Sequence, residues 1–247
     1  MRVLVVTAVP VERDAVTRAF GGAPEIVALP GGELHRAGAF DVLAGGAGPA
    51  AAAAATAFAL ASASAPTPPP TSTPTSTPTS TPYGLVVSAG IGGAFTPLTP
   101  LGSLVVASDI VAADLGADTP DGFLPVTALG FGRDRFTAPP TLVRQVAAAT
   151  GAAVGPVLTV STVTGTAERA GDLLAAHPGA LAEAMEGFGV AEAAARADVP
   201  VLELRAVSNA VGPRDRDAWR IGDALAALRD AFGKIAPVLE GWHRHDH

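Results

Sequence analysis

A chain of 247 residues with 49% hydrophobic and 16% charged side chains can bury one sizeable core. Its formal net charge of -7 disfavours nucleic-acid backbones and membranes as principal partners, since both favour clustered Lys and Arg, and leaves a small-molecule ligand as the expectation. The absence of Cys excludes disulfides and thiolate nucleophiles and fits cytoplasmic residence; with three of the five His in the last five residues, chemistry falls to carboxylates, amides and hydroxyls.

The apolar segment Arg2 to Thr7 reads as a first strand, because Pro10, Glu12, Arg13 and Asp14 stand where a secretory leader would need a small-residue cleavage site. A helix over Val11 to Phe20 follows. Glu12 thus lies beyond the carboxyl end of a strand, where ligands collect in parallel α/β sheets, although an acid in a first helical turn also simply complements the macrodipole. A second strand, Phe40 to Ala44, leads through Gly46-Ala47-Gly48-Pro49-Ala50-Ala51 into a helix over Pro49 to Ser62. That turn matches G-x-G-x-x-A, but it is not in the first βαβ unit, and a Thr/Pro tract replaces the acid expected about 20 residues later. The tract, Ala65 to Pro82, repeats Thr-Ser-Thr-Pro and has almost nothing to pack, so it reads as a disordered surface insertion within a βαβ unit.

The strand Gly84 to Ala89 runs into a loop holding Gly90, Gly92 and Gly93, which serves either as a plain turn or as backbone that a ligand approaches closely. Further strands are expected at Ser103 to Ala107, Pro156 to Ser161 and Pro200 to Val207, with helices at Pro140 to Ala149, Ala167 to Ala176, Leu181 to Ala197 and Asp223 to Trp242. Continuous apolar strands alternating with helices predict a three-layer α/β/α sandwich around a mixed, mostly parallel central sheet, in one domain spanning residues 1–242. Residues 243–247 read as a frayed tail.

On the expected helix Leu181 to Ala197, Met185 shares a face with Leu181 and Phe188, while Glu186 has no Lys or Arg within four residues. Glu186 is therefore either a solvated helix edge or a carboxylate aimed at ligand hydroxyls. Arg205, Ser208 and Asn209 appear as the last apolar strand runs out, where polar residues line a crevice or merely turn the chain.

In series, Glu12, the Gly90 to Gly93 loop, Met185-Glu186 and Arg205-x-x-Ser208-Asn209 resemble the nucleoside phosphorylase/hydrolase superfamily, in particular the methylthioadenosine/S-adenosylhomocysteine nucleosidases and, more closely, the futalosine hydrolases. The run Val211-Gly212-Pro213-Arg214-Asp215-Arg216 before Trp219 strengthens the second likeness and implies an ordered loop near the site. The resemblance implies catalytic roles for Glu12, Arg205 and Asn209, with Met185 and Glu186 holding the ribose and Ser208, Gly90, Gly92 and Gly93 completing the substrate site. It also implies no metal or organic cofactor, and a homo-oligomer.

Asn209 departs from adenine-directed relatives, which carry Asp there. An amide can donate to N7 and to a 6-keto oxygen, which fits hypoxanthine as the leaving base. For the far end of such a substrate, Phe123, Phe131, Arg133 and Phe136 offer aromatic surface or a cation but read equally as core and surface residues. A phosphorylase would need basic residues around phosphate, and none flanks the glycine loop. A methylthioadenosine-type nucleosidase, a dinucleotide-dependent oxidoreductase and a non-catalytic nucleoside-binding protein complete the alternatives.

Overall fold

The computed structural model describes residues 1–64 and 83–243, so the Thr/Pro insertion and most of the tail lie outside the described residues. In chain order the elements are β1 (Arg2–Thr7), α1 (Pro10–Arg18), β2 (Glu25–Leu29), β3 (Gly32–Ala37), β4 (Phe40–Ala44), α2 (Pro49–Ser64), β5 (Tyr83–Ala94) and β6 (Leu104–Ala112). There follow β7 (Gly116–Thr119), β8 (Gly122–Pro125), β9 (Arg135–Thr137), α3 (Pro140–Thr150), β10 (Ala153–Thr159), α4 (Ala167–Ala176), β11 (Ala182–Ala184), α5 (Gly187–Arg196), β12 (Val201–Ala210) and α6 (Ile221–Gly241).

One ten-stranded sheet runs in the order β11-β10-β6-β12-β5-β1-β4-β3-β2, with β9 attached to β6. Parallel pairing joins β4, β1, β5 and β12, and separately β6, β10 and β11. Antiparallel pairing supplies the β2–β3 edge and the junctions β6–β12 and β5–β11. Because β11 bonds to both β10 and β5, strands β11, β10, β6, β12 and β5 form a closed ring.

Strand alternation sorts side chains into two helix-covered layers. Val3 and Val5 of β1 pack with Val16 of α1, Val146 of α3 and Phe232 of α6, whereas Leu4 and Val6 pack with Ala52 of α2 and Val190 of α5. Each such fully buried Val, Leu or Phe contributes about 1.5–3 kcal/mol of transfer free energy. A third cluster around Phe95, Leu158 and Leu173 closes the ring beneath α4. Among the described residues no helix is long and apolar enough to cross a membrane.

Two sequence expectations need correction. Leu181 to Ala197 is not one helix, since Ala182–Ala184 form β11, all three buried and paired with β10 and β5, and the helix starts at Gly187. Helix-forming Ala and Glu are overridden there by ring closure and burial. The glycines Gly90 to Gly93 form no loop either. They continue β5 alongside β12, and the ring leaves no room for a side chain at Gly92, where a Cβ would lie 2.9 Å from the Glu183 carbonyl.

Candidate active site

Thr7 ends β1, and Pro10 at the start of α1 turns the chain so that Glu12 points back over the strand end. Its Oε2 accepts hydrogen bonds from the backbone N–H of Ala8 at 2.9 Å and of Val9 at 3.2 Å, the latter as one half of a capping box. Its Oε1 accepts from the Ile91 N–H at 2.8 Å. Gly90 makes this approach possible, because a Cβ there would come within 2.7 Å of Glu12 Oε1 and 2.8 Å of Arg205 Nη1.

Arg205 lies within β12 with no exposed surface. Its guanidinium donates to Glu203 Oε1 at 2.9 Å, Glu186 Oε2 at 3.2 Å and Ser88 Oγ at 3.0 Å. Glu186 immediately precedes α5, and its Oε1 accepts from the Gly48 N–H at 3.2 Å. The turn that formally matched a dinucleotide fingerprint thus positions a carboxylate. Close packing of α5 on α2 keeps it in place, since a Cβ at Gly189 would run into the Pro49 backbone.

One guanidinium therefore serves three buried carboxylates. Burial pushes the Glu12 carboxyl above its ordinary value, with Glu186 adding to the rise and the Ile91 N–H and Arg205 only partly offsetting it. Glu203 is also raised, by complete burial against the pull of Arg205, and its Oε2 has no hydrogen-bond partner. Burial alone would lower Arg205, but Glu203, Glu186 and Glu12 outweigh it and keep the guanidinium charged.

Above this network lies a cavity of about 230 Å³ at the carboxyl ends of β1, β5 and β12 and beside β11. Of the residues expected from sequence, Glu12, Met185, Glu186, Ser208, Asn209, Gly92 and Gly93 line it. Gly90 and Arg205 do not. Gly90 clears space behind Glu12, and Arg205 lies under the carboxylates, which makes it a positioning residue and corrects its expected catalytic contact.

A bulge in β12 shapes the end of the cavity that Ser208 and Asn209 line. Val207 pairs with Gly92 and Asn209 with Gly93, so Ser208 is an extra residue on one strand. The Ser208 hydroxyl donates to Asn209 Oδ1 at 2.8 Å, which fixes the amide with its oxygen occupied. Asn209 Nδ2 spends one hydrogen on the Ala210 carbonyl at 2.9 Å and retains a second. Trp219 and Val211 also line the cavity, and Arg214 and Arg216 each stand 5.8 Å from the Trp219 ring, so the segment after β12 is an ordered wall.

Glu183 and Thr164 were not singled out by sequence. Glu183 lines the cavity and is 4% exposed, with its Oε1 accepting from the Thr164 N–H at 2.9 Å and its Oε2 from the Thr164 hydroxyl. Burial raises its carboxyl, against those two hydrogen bonds. A buried carboxylate on a three-residue strand carries no periodic signal. Phe123, Phe131, Arg133 and Phe136 stay outside this cavity; Arg133 lies over the Phe136 ring at 4.9 Å, and Phe136 packs on Phe188. A larger groove of about 710 Å³ beside the β2–β3 hairpin is bordered by Arg13 and Glu33, which pair with each other at 2.7 Å.

The sequence pattern of the phosphorylase superfamily matches residues 2–239. A futalosine hydrolase from Streptomyces coelicolor is 63% identical over 247 residues, covering 100% of each chain. Another, from Acidothermus cellulolyticus, is 43% identical over 237 residues, covering 94% of this chain and 89% of its own. Among solved structures, the MTA/SAH nucleosidase of Streptococcus pneumoniae in complex with 8-aminoadenine shares the fold with a TM-score of 0.77 at 18% identity, covering 96% of this chain and 99% of that one.

Proposed function

We propose, from the premise that the chain belongs to the phosphorylase superfamily and, within it, to the futalosine hydrolases, that it hydrolyses the N-glycosidic bond of futalosine. The products are hypoxanthine and dehypoxanthinyl futalosine, in the route to menaquinone. The observation that carries this reading is the Asn209 amide, held by Ser208 with a free N–H at a cavity whose charged lining residues, among those described, are all carboxylates.

Glu186 and Met185 hold the ribose, the carboxylate accepting from its hydroxyls. As the C1'–N9 bond breaks, its electron pair passes into the purine, and the Asn209 N–H stabilises the charge growing towards N7 and the 6-keto oxygen. Water adds its oxygen to C1' and gives its proton to Glu12, whose raised basicity suits that step. An amide cannot deliver a full proton, so the base collects one from solvent. Arg205 acts through Glu12 and Glu186.

Water is favoured over phosphate because none of the cavity's described lining residues is Lys or Arg and Arg205 is engaged by carboxylates. We further read the enzyme as cytoplasmic, on its Cys-free sequence, and as a homo-oligomer, supported by exposed Leu115, Phe123, Leu124 and Phe131 around the β7–β8 hairpin. The test is incubation with futalosine, inosine and methylthioadenosine, with and without phosphate, following free base by chromatography. Phosphate-independent release of hypoxanthine from futalosine is expected; phosphate dependence or preference for the adenine nucleoside would overturn the reading. Light scattering after size exclusion checks the assembly, and a monomer would reject it.

A further inference from the structure

Glu203 does not line the cavity, yet it makes the shorter ion pair of Arg205, 2.9 Å at Nε against 3.2 Å for Glu186 at Nη1. Two residues apart on β12, Glu203 and Arg205 project from one face of the sheet. Ser88, in register with Glu203 on β5, accepts from Arg205 Nη2 at 3.0 Å on that same face. Glu203 has no exposed surface, and its Oε2 has no hydrogen-bond partner among the described residues. The first residue of α5 covers the carboxyl. A Cβ at Gly187 would run into both its oxygens, so the absence of a side chain there lets the helix start directly over Glu203 and directly after Glu186. Glu203 thus stands where the guanidinium meets the helix that aims Glu186.

Charge balance limits the form this group takes. With Glu12, Glu186 and Glu203 all ionised, the network would hold three negative charges against the one positive charge of Arg205, and excess charge far from water is costly. The three acids are unequally equipped to stay ionised. Glu12 accepts from three backbone N–H groups, and Glu186 accepts from Gly48 and Arg205 and borders the cavity. Glu203 accepts from Arg205 alone among the described residues. A proton on its Oε2 removes the charge where it is least supported and leaves Oε1 to accept from Arg205. Burial and the neighbouring Glu186 push the Glu203 carboxyl in the same direction, against Arg205.

We propose that Glu203 stays protonated in the working enzyme and serves as an uncharged acceptor that fixes the Arg205 guanidinium, leaving its positive charge to Glu186 and Glu12. Glu203 is then a positioning residue: because it does not compete for the cation, Glu12 stays ionised to take the proton of the attacking water and Glu186 is held for the ribose hydroxyls. Its part in turnover rests on the reading that the substrate is futalosine.

Infrared difference spectra of the enzyme at neutral pH in deuterated buffer read the protonation state through the carbonyl stretch of an un-ionised carboxyl. The wild type should show a band that Glu203→Gln loses; no such band in the wild type, or one that Glu203→Gln leaves intact, would overturn the proposal. In steady-state hydrolysis of futalosine, Glu203→Leu leaves the Arg205 Nε–H buried without an acceptor and should lower kcat/KM by about tenfold or more. Glu203→Gln, which keeps an uncharged acceptor, should rescue most of that loss and hold the acid limb of the kcat/KM profile in place. A Gln variant as impaired as Leu, or an acid limb moved to lower pH because a negative charge beside Arg205 was lost, would mean that Glu203 is ionised and would end the proposal. A full-rate Leu variant would remove the positioning role. Melting curves confirm folding, and the isosteric Gln variant with its infrared band carries the test where Leu does not fold. Because the band needs no substrate, its loss in Glu203→Gln of an enzyme inert to futalosine would reject the substrate and retain the uncharged acceptor. Futalosine hydrolysis without the band would do the reverse.

Discussion

The two ends of the sheet each bury a carboxylate–arginine cluster, with opposite charge balance. At the amino ends of β1, β4 and β5, a single acid, Asp41, accepts from Arg2, from Arg36 at 3.2 Å and from the Tyr83 hydroxyl at 2.6 Å. Burial would raise Asp41, but those hydrogen bonds win and hold it below its ordinary value. At the carboxyl ends, one guanidinium is bonded to Glu203 and Glu186 and attracts Glu12 by charge alone, and burial leaves Glu12 and Glu203 above their ordinary values. Donors in excess make a clamp; acceptors in excess leave basicity and lone pairs available to a ligand.

The largest test of that contrast is Arg205→Met. It strands two buried carboxylates and should cost about 3–5 kcal/mol in urea unfolding, together with most activity. Arg36→Met, whose side chain is 39% exposed, should cost about 1 kcal/mol or less, since Asp41 keeps Arg2 and Tyr83. Equal losses would erase the distinction. Glu12→Gln should lower kcat by about 10²–10⁴-fold in single-turnover base release, with the unfolding midpoint lowered by less than in Arg205→Met, since its amide must face one of the N–H donors that Glu12 accepts from. A full-rate variant would remove Glu12 from the chemistry.

Asn209→Asp should slow hypoxanthine release by about tenfold or more and shift preference towards adenine nucleosides, read by competition between the two substrates. Smallest are the pH effects. Glu12 must be ionised to take a proton, so the acid limb of kcat/KM should fall above the ordinary carboxylate range. The contribution of raised Glu203 to stability is fully present below its unfolded pKa and is lost as pH rises through its folded value, so Glu203→Gln should gain on the wild type across that rise. Lowered Asp41 behaves oppositely: its contribution is present above the unfolded value and lost as pH falls through the folded one, which Asp41→Asn should abolish. Parallel pH–stability curves for the two variants would break the comparison.

Apolar runs such as Val3 to Val6 and Leu85 to Val87 announce themselves because both faces of their strands are buried, and the central strands and most helices were legible for that reason. The β2–β3 hairpin is harder to read, because Glu25 to Leu29 is largely exposed and lacks a continuous apolar run; its signal is Pro30-Gly31, with Gly31 at φ +82°. At the site, Glu12, Met185-Glu186 and Ser208-Asn209 were legible as polar residues at strand ends or beside a helix. The division of Leu181 to Ala197 into β11 and α5 was not, since Ala182–Ala184 become a strand only when β5 and β10 are there to pair with them. Glu183 was hidden for the same reason: its place beside Gly93 and Asn209 comes from pairing between segments far apart in sequence.

The extra residue at Ser208 has a further consequence, one of sidedness. Up to Val207, pairing with β5 fixes which side chains of β12 face which layer, and Arg205 belongs to the face away from Ile91 and its partner Ala206. In an unbroken strand Asn209 would share the parity of Arg205. The one-residue offset puts Asn209 opposite Gly93 instead, which has the parity of Ile91. A single strand thus delivers a cation to the underside of the site and an amide to its mouth, and which polar residue reaches that mouth is chosen by counting as much as by chemistry.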